Sequence, residues 1–260
     1  MKLDARYALR TVADDPALAD AIQALIERVW PAYIQGTSPA GIYTELDWMG
    51  VYTRWPDFQF GIFDAVDGRL LAGGNAAPLA YTGALADLPD EGWDWALYTA
   101  TTQAAAGVAP TMLCALSITV EPDAQGRGLS GVMVRTMRSL AAAAGFTHLI
   151  APVRPTLKPR YPLIPIQNYL RWTTAAGLPF DPWLRTHVRA GGVIVKACPR
   201  SMSLQGTVAG WEQWTGLAMP GLGHYVMPEL LTPLQVNRDA DRGLYIEPNV
   251  WVAHALHEGD

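Results

Sequence analysis

The densest apolar run of the chain, Thr111–Val120, places hydrophobic side chains on both alternating faces and reads as a strand covered on both sides of a sheet. Glu121-Pro122-Asp123-Ala124 interrupts it, and Gln125-Gly126-Arg127-Gly128-Leu129-Ser130 follows as a glycine-rich turn. Leu129, Val132, Met133, Met137, Leu140 and Ala144 then recur at helical spacing, with Gly145 closing the helix. His148–Val153 is the next strand, so strand, helix and strand form a right-handed parallel unit. Pro152 has no N–H to give to a ladder. The two parallel strands are therefore expected to part near it and leave a slot.

Around this centre the pattern predicts further elements in order. Arg6–Val12 alternates as an opening strand, and Asp15-Pro16 starts a helix through Trp30 whose Leu18, Ile22, Leu25, Ile26 and Val29 share one face. Phe58–Phe63 and Arg69–Pro78 read as an antiparallel hairpin, with Gly73-Gly74 marking a bulge or a close backbone approach. Tyr81–Gly107 reads as a loop followed by a helix. Within it Asp94, between Trp93 and Trp95, is read as a helix cap, the other reading being a carboxylate that greets a cationic substrate. Leu157–Phe180 is a long connection rich in proline and aromatic residues, with a short amphipathic piece around Gln167–Thr174. Asp181-Pro182 restarts a helix through Arg189, and Val193–Val195 is a strand. The tail holds Ser201–Thr207, a helical turn at Val208–Gly216, and two strand candidates, near Leu234–Val236 and at Gly243–Ile246 continuing to Val250–His254. No internal repeat is visible. The chain reads as one α/β (α+β) domain over 1–260, with an extended C-terminal part from about 156 to 260.

Charge and cysteine usage narrow the classes. A formal net charge of −5, with Lys2, Lys158 and Lys196 the only lysines and no polybasic run, argues against nucleic acid as a partner. Cys114 and Cys198 make neither a disulfide framework nor a metal-spaced cluster, so no metal is expected and the setting is reducing. The opening residues lack the apolar core of a signal peptide, and no run approaches the roughly 20 apolar residues of a membrane span. The expectation is a cytoplasmic protein without a membrane partner. The turn itself points to an anion: a glycine-rich connection into a helix N-terminus aims backbone N–H groups and the positive end of the helix dipole at one spot.

Gln125-Gly126-Arg127-Gly128-Leu129-Ser130 resembles the Gln/Arg-x-x-Gly-x-Gly/Ala signature of the GNAT acyltransferase superfamily, which binds the pyrophosphate of acetyl-CoA. The resemblance covers about 111–155 and is supported by the buried strand before the turn, the helix after it and the hairpin upstream. Ser130 stands where the signature has Gly or Ala. The resemblance implies a mixed, mostly antiparallel sheet with a central splayed parallel pair and helices on both faces. It also implies that backbone groups of Ile118, Thr119 and Val120 pair with the pantetheine arm, while N–H groups from Gln125, Gly126, Arg127, Gly128, Leu129 and Ser130 hold the diphosphate. Acetyl-CoA would then be the co-substrate, attacked directly by an amine of a small-molecule acceptor.

For the proton chemistry, many relatives use a tyrosine in a Tyr-x-x-x-Gly-Phe pattern to protonate the departing thiolate. Aligning on Gly191 puts His187 at that position, either as the acid or as a histidine packed at a helix end, with Tyr161 and Tyr245 as outside candidates. Glu121 is the candidate general base, directly or through a water held by Ser117 or Thr119; its other reading is a solvated turn carboxylate ahead of Pro122. Arg154, Lys158 and Arg160 cluster where the slot should open, to greet an acidic acceptor or the 3′-phosphate of CoA, or simply to solvate a loop. Pocket identity is assigned to the segments Tyr43–Pro56, Tyr81–Trp95 and Pro155–Phe180. The competing classes are a non-catalytic acyl-CoA-binding module, and relatives with another acyl donor, a hydroxyl acceptor, an aminoacyl-tRNA donor or acyl-CoA decarboxylation. The aromatic-rich tail offers a surface for a homo-oligomer.

Overall fold

The computed structural model describes residues 3–256; residues 1–2 and 257–260, the ends of the single domain expected over 1–260, lie outside the described residues. In chain order the elements are β1 (Tyr7–Thr11), α1 (Leu18–Val29), α2 (Ala32–Gly36), β2 (Ser38–Pro39), α3 (Gly50–Arg54), β3 (Gln59–Asp64), β4 (Leu70–Leu79), α4 (Gly92–Ala105) and β5 (Met112–Val120). They continue with α5 (Leu129–Ala143), β6 (His148–Val153), α6 (Ile166–Tyr169), α7 (Pro182–Arg189), β7 (Val193–Gly206), α8 (Val208–Thr215), β8 (Gly223–Tyr225), β9 (Leu234–Asn237) and β10 (Arg242–Ala255). One ten-stranded sheet runs β1-β3-β4-β5-β6-β10-β7-β2, with β9 also pairing β10 and β8 pairing β9. Every pairing is antiparallel except β5 with β6, and helices cover both faces. This is the mixed sheet expected.

The parallel pair is short. β5 and β6 pair only at Leu113↔Leu149 and Cys114↔Ile150, and beyond Cys114 the strands part. Pro152 itself sits opposite Trp251 of β10 and turns its donor-less nitrogen toward no ladder partner on β5. On its other side β5 stays paired to β4 out to Val120, with a register shift between Asn75 and Ala76 that leaves Leu116 as the extra residue. The paired glycines of β4 meet helices: a Cβ on Gly73 would lie 3.0 Å from Ile22, and one on Gly74 2.7 Å from Phe60 and 3.0 Å from Met133. Close packing of α1 and α5 on the two faces is what excludes side chains there.

Two cores result. One, under α1 and α4, gathers Ile22, Leu97, Cys114, Cys198 and Trp251; the other, under α5 and α7, gathers Met133, Met137, Leu184, Val250 and Val252. A third cluster around Trp211, Tyr33 and Tyr245 builds the C-terminal end of the sheet. The strand read at Val193–Val195 is the start of a 14-residue β7, and Gly243–Ile246 and Val250–His254 are one strand, β10, of 14 residues. Pro199 and Pro248 lie where these two long strands skip register, between Asn249↔Cys198 and Glu247↔Met202. No described helix is long and apolar enough to cross a membrane.

Candidate active site

The gap between β5 and β6 opens into a channel of two joined cavities, of 280 and 380 Å³, that share Val29, Trp30, Ile118, Thr156 and Trp183. The outer cavity is lined by Ile118, Thr119, Val120, Gln125, Gly126, Gly128, Leu129 and Ser130, which the sequence assigned together. Gly128 is the residue preceding α5 and sits at φ +78°, as does Gly126, a left-handed conformation that side chains resist. No side chain caps α5, so its leading N–H groups face the channel without an internal acceptor. Cβ atoms built on Gly126 or Gly128 would find nothing within 4 Å. Arg127 turns its guanidinium back to the Asp123 carbonyl (3.0 Å), leaving its main chain to the turn. An uncapped helix start beside open space fits a diphosphate, and the free edge of β5 beyond Cys114 fits an extended chain bearing amides.

The inner cavity gathers the titratable side chains of the channel, His187, Arg154 and Glu247. His187 reaches it from α7, whose start is fixed by Asp181: Oδ1 accepts from the Trp183 and Leu184 N–H groups, and Oδ2 from Leu157 N–H and the Tyr169 hydroxyl. The His187 ring packs edge-on to Trp183 at 4.5 Å between centroids, and its Nδ1 lies 3.1 Å from Nε2 of His254. That contact leaves Nε2 of His187 for the slot, which the residue lines. Burial, then the neighbouring His254, pushes His187 down to about 3; burial and Arg138 push His254 down to about 4. Both rings are neutral at physiological pH. His187 is thus a neutral imidazole rather than a standing imidazolium.

Glu121 is not brought to His187. It lies beyond the end of β5, ion-paired with Arg28 from the last turn of α1, and lines neither cavity. The Ser117 hydroxyl donates to Asn75 Oδ1 (2.7 Å), and Thr119 Oγ1 accepts from the Trp30 indole (2.8 Å). Tyr161 belongs to an aromatic cluster with Tyr169, Trp172 and Phe180, and the Tyr245 hydroxyl is spent between Leu231 N–H and Glu247 Oε2. Lys158 is fully buried with Nζ on the Tyr161 and Leu231 carbonyls, so it pins a loop and does not greet a ligand. Arg154 does line the inner cavity, held by Glu247, the Tyr33 hydroxyl and the Glu229 carbonyl.

Asp94 corrects its reading as a cap. It sits in the first turn of α4, whose preceding residue is Glu91, and its carboxylate accepts from Ser203 N–H on β7 (2.9 Å) instead of from its own helix. Burial and the nearby Glu247 push it up to about 8. Two polar residues missed in the sequence, Glu247 and Asn249, line the inner cavity from β10. Their signal was present: a carboxylate and an amide flanking Pro248 inside an otherwise apolar strand. The segment Tyr43–Pro56, expected to shape the pocket, contributes nothing to either cavity.

No family model matches the chain. An arginine N-acetyltransferase, avaD, from Aspergillus versicolor is 30% identical over 279 residues, covering 96% of this chain and 94% of the relative. Two solved structures share the fold at TM-score 0.57 over 96% of this chain: the loading GNATL domain of CurA from Lyngbya majuscula (17% identical, 97% of its length) and the GNAT-like decarboxylase GphF in complex with isobutyryl-CoA (18% identical, its whole length).

Proposed function

Because this chain belongs to the GNAT superfamily, as an acyl-CoA-dependent N-acetyltransferase, we propose that its acceptor is a free amino acid or a close derivative, arginine foremost, and that His187 handles the transferred proton. The observation that carries the reading is the single channel: the glycine-turn cradle at one end opens, through the β5–β6 gap, onto His187 and a set of polar side chains at the other. Acetyl-CoA is the co-substrate. Its diphosphate is assigned to the N–H groups from Gln125 to Ser130, and its pantetheine to the free edge of Ile118, Thr119 and Val120.

In the proposed reaction the amine nitrogen attacks the thioester carbonyl, the N–C bond forms and the C–S bond breaks. The proton shed by nitrogen passes to Nε2 of His187, and the imidazolium so formed, disfavoured by its burial, gives it to the departing thiolate. A neutral ring is the right starting state for this role, since it must first accept. Holding the two reactants in one narrow channel supplies proximity. Glu121, tied to Arg28 outside the channel, has no part in the scheme.

Release of free thiol from acetyl-CoA with L-arginine, followed by mass spectrometry of the product, tests the assignment. His187→Ala should lower kcat by roughly 100-fold or more while acetyl-CoA affinity stays within about threefold. An unchanged kcat in that variant would remove His187 from the proton path. Stabilisation by CoA esters with no thiol release from any amine would support the binding-module class instead.

A further inference from the structure

Three buried oxygens take no hydrogen bond from the protein: Oε1 of Glu247 and Oδ1 of Asn249, on residues that line the inner cavity, and Oδ1 of Asp94, a residue that lines neither cavity. Their residues are 1%, 2% and 2% exposed, so water does not stand in freely for the missing donors. Buried acceptors left bare are costly, and three within one small region call for a donor from outside the chain. The rest of each group is committed. Glu247 Oε2 accepts from Arg154 Nε and the Tyr245 hydroxyl, both at 2.9 Å; Asn249 Nδ2 donates to the Pro152 carbonyl; Asp94 Oδ2 accepts from Ser203 N–H. Each bare oxygen is thereby held in place by its own partner atom.

Glu247 and Asn249 line the cavity itself; Asp94 does not, although Trp93 beside it in the chain and Met202 beside its partner Ser203 do. Asn249 pairs with Cys198, which packs in the core under α1 and α4, whereas His187 comes from the helix on the opposite face of the sheet. The slot therefore passes through the sheet, with His187 toward one face and the bare oxygens toward the other.

We infer that Glu247 and Asn249, with Asp94 near Glu247 outside the cavity wall, form a seat for a cationic end group of the acceptor, of guanidinium type, which stays charged while a separate amino nitrogen beside His187 is acetylated. This rests on the acetyltransfer proposed above. A guanidinium carries five N–H donors in one plane and accepts nothing, which matches the bare acceptors on Glu247 and Asn249. A group held by carboxylates in its protonated form cannot be the nucleophile. The reacting amine must lie elsewhere, and the neutral ring of His187 supplies the place where its proton goes. Asp94, kept protonated in the empty seat by burial and by Glu247, has a reason to ionise once a cation arrives. Arg154 is committed to Oε2 of Glu247, so an incoming cation would be met by Oε1, the oxygen that has no partner.

The measurement is a comparison of L-arginine with L-citrulline, which is nearly isosteric but replaces the cation with a neutral urea whose carbonyl would face the bare oxygens. Wild-type kcat/KM should favour arginine by about 100-fold or more, since a site built for a charged donor leaves its own groups unpaired with the neutral analogue. The acetyl group should appear on the α-amino nitrogen. Glu247→Gln should bring the ratio below about tenfold with acetyl-CoA affinity retained. Equal turnover of the two amino acids, or acetylation of the guanidino nitrogen, overturns the seat while leaving acetyltransfer intact. If no amine releases thiol, calorimetric binding of arginine and citrulline to the CoA-saturated wild-type protein still decides: tighter arginine binding supports the seat, and equal or absent binding refutes it. The wild-type comparison does not depend on any variant folding.

Discussion

At the donor end of the channel, from Ile118 to Ser130, what faces the cavity is largely main chain, offered by one continuous stretch of sequence. At the acceptor end it is side chains, brought from α4, α7 and β10, and their positions depend on residues more than a hundred places apart. The first half needs only a strand, a turn with two left-handed glycines and an uncapped helix. The second needs a bulge at Pro248, a cap at Asp181 and a pair of buried histidines to hold its groups. Recognition of a common co-substrate is thus written locally, and recognition of a particular acceptor is distributed.

The sharpest way to break this division is at Gly128. Replacing it with valine forces a β-branched residue into φ +78° and puts a side chain in the open space before α5. The KM for acetyl-CoA should rise about 30-fold or more, with kcat at saturation within about threefold, because left-handed strain costs ~1–2 kcal/mol before any lost contact. A fall in kcat at unchanged KM would mean that the turn shapes the chemistry as well as the handle.

Of intermediate size is the effect of pH, which should be felt through the acceptor half alone, since its buried titratable groups have no counterpart at the turn. His187 and His254 are ordinarily near 6.5 and fall to about 3 and about 4 in the folded chain. Below pH 6.5 the unfolded chain therefore holds up to two more protons, and stability rises with pH through that window. Asp94 runs the other way: ordinarily near 3.8, it rises to about 8 on folding, so the folded chain keeps an extra proton and stability falls with pH until about 8. Two histidines outweigh one carboxyl below 6.5, and Asp94 dominates above it until Lys158, lowered by burial to about 8, begins to act in the opposite direction. The Tm should peak near pH 6.5 and drop by roughly 5 °C toward pH 8. Asp94→Asn should abolish the drop on the alkaline side; its survival in that variant would place the titrating group elsewhere.

The smallest expected effect is at Glu121. Glu121→Gln removes an ion pair whose arginine is half exposed, worth about 0–1 kcal/mol, and should change kcat less than about threefold. A tenfold or larger loss would return Glu121 to the proton path and would mean that the donor half contributes chemistry.

Much of the fold could be read in advance where it is local. Thr111–Val120, the turn, the helix from Leu129 and His148–Val153 emerged from periodicity because each element's burial pattern is set by its own neighbours. The parting of the strands was readable from Pro152, since a missing N–H acts whatever the context. The acceptor end was not. Its strand was legible as Gly243–Ile246 continuing to Val250–His254, but Glu247, Pro248 and Asn249 between them, which break both the alternation and the ladder, were given no role. Glu247 and Asn249 line the inner cavity. Asp94 was given the wrong role at the right end of its helix for a related reason: capping preference is a local rule, whereas its partner, Ser203, lies on a strand 109 residues away. Glu121 drew notice as a carboxylate near the turn, and only its pairing with Arg28 of α1 removes it from the channel.

The brief pairing of β5 with β6 also bears on mechanics. Across that line the ten strands are stitched at two positions only, with β1-β3-β4-β5 on one side and β6-β10-β7-β2, together with β8 and β9, on the other. A sheet so joined has a seam, and shear or opening between its halves meets less resistance there than along the adjoining β4–β5 or β6–β10 pairs. An extended amide-bearing chain lying in the gap would bridge the seam, so filling the donor site should stiffen the whole sheet and slow amide exchange in both halves together, far from any atom it touches.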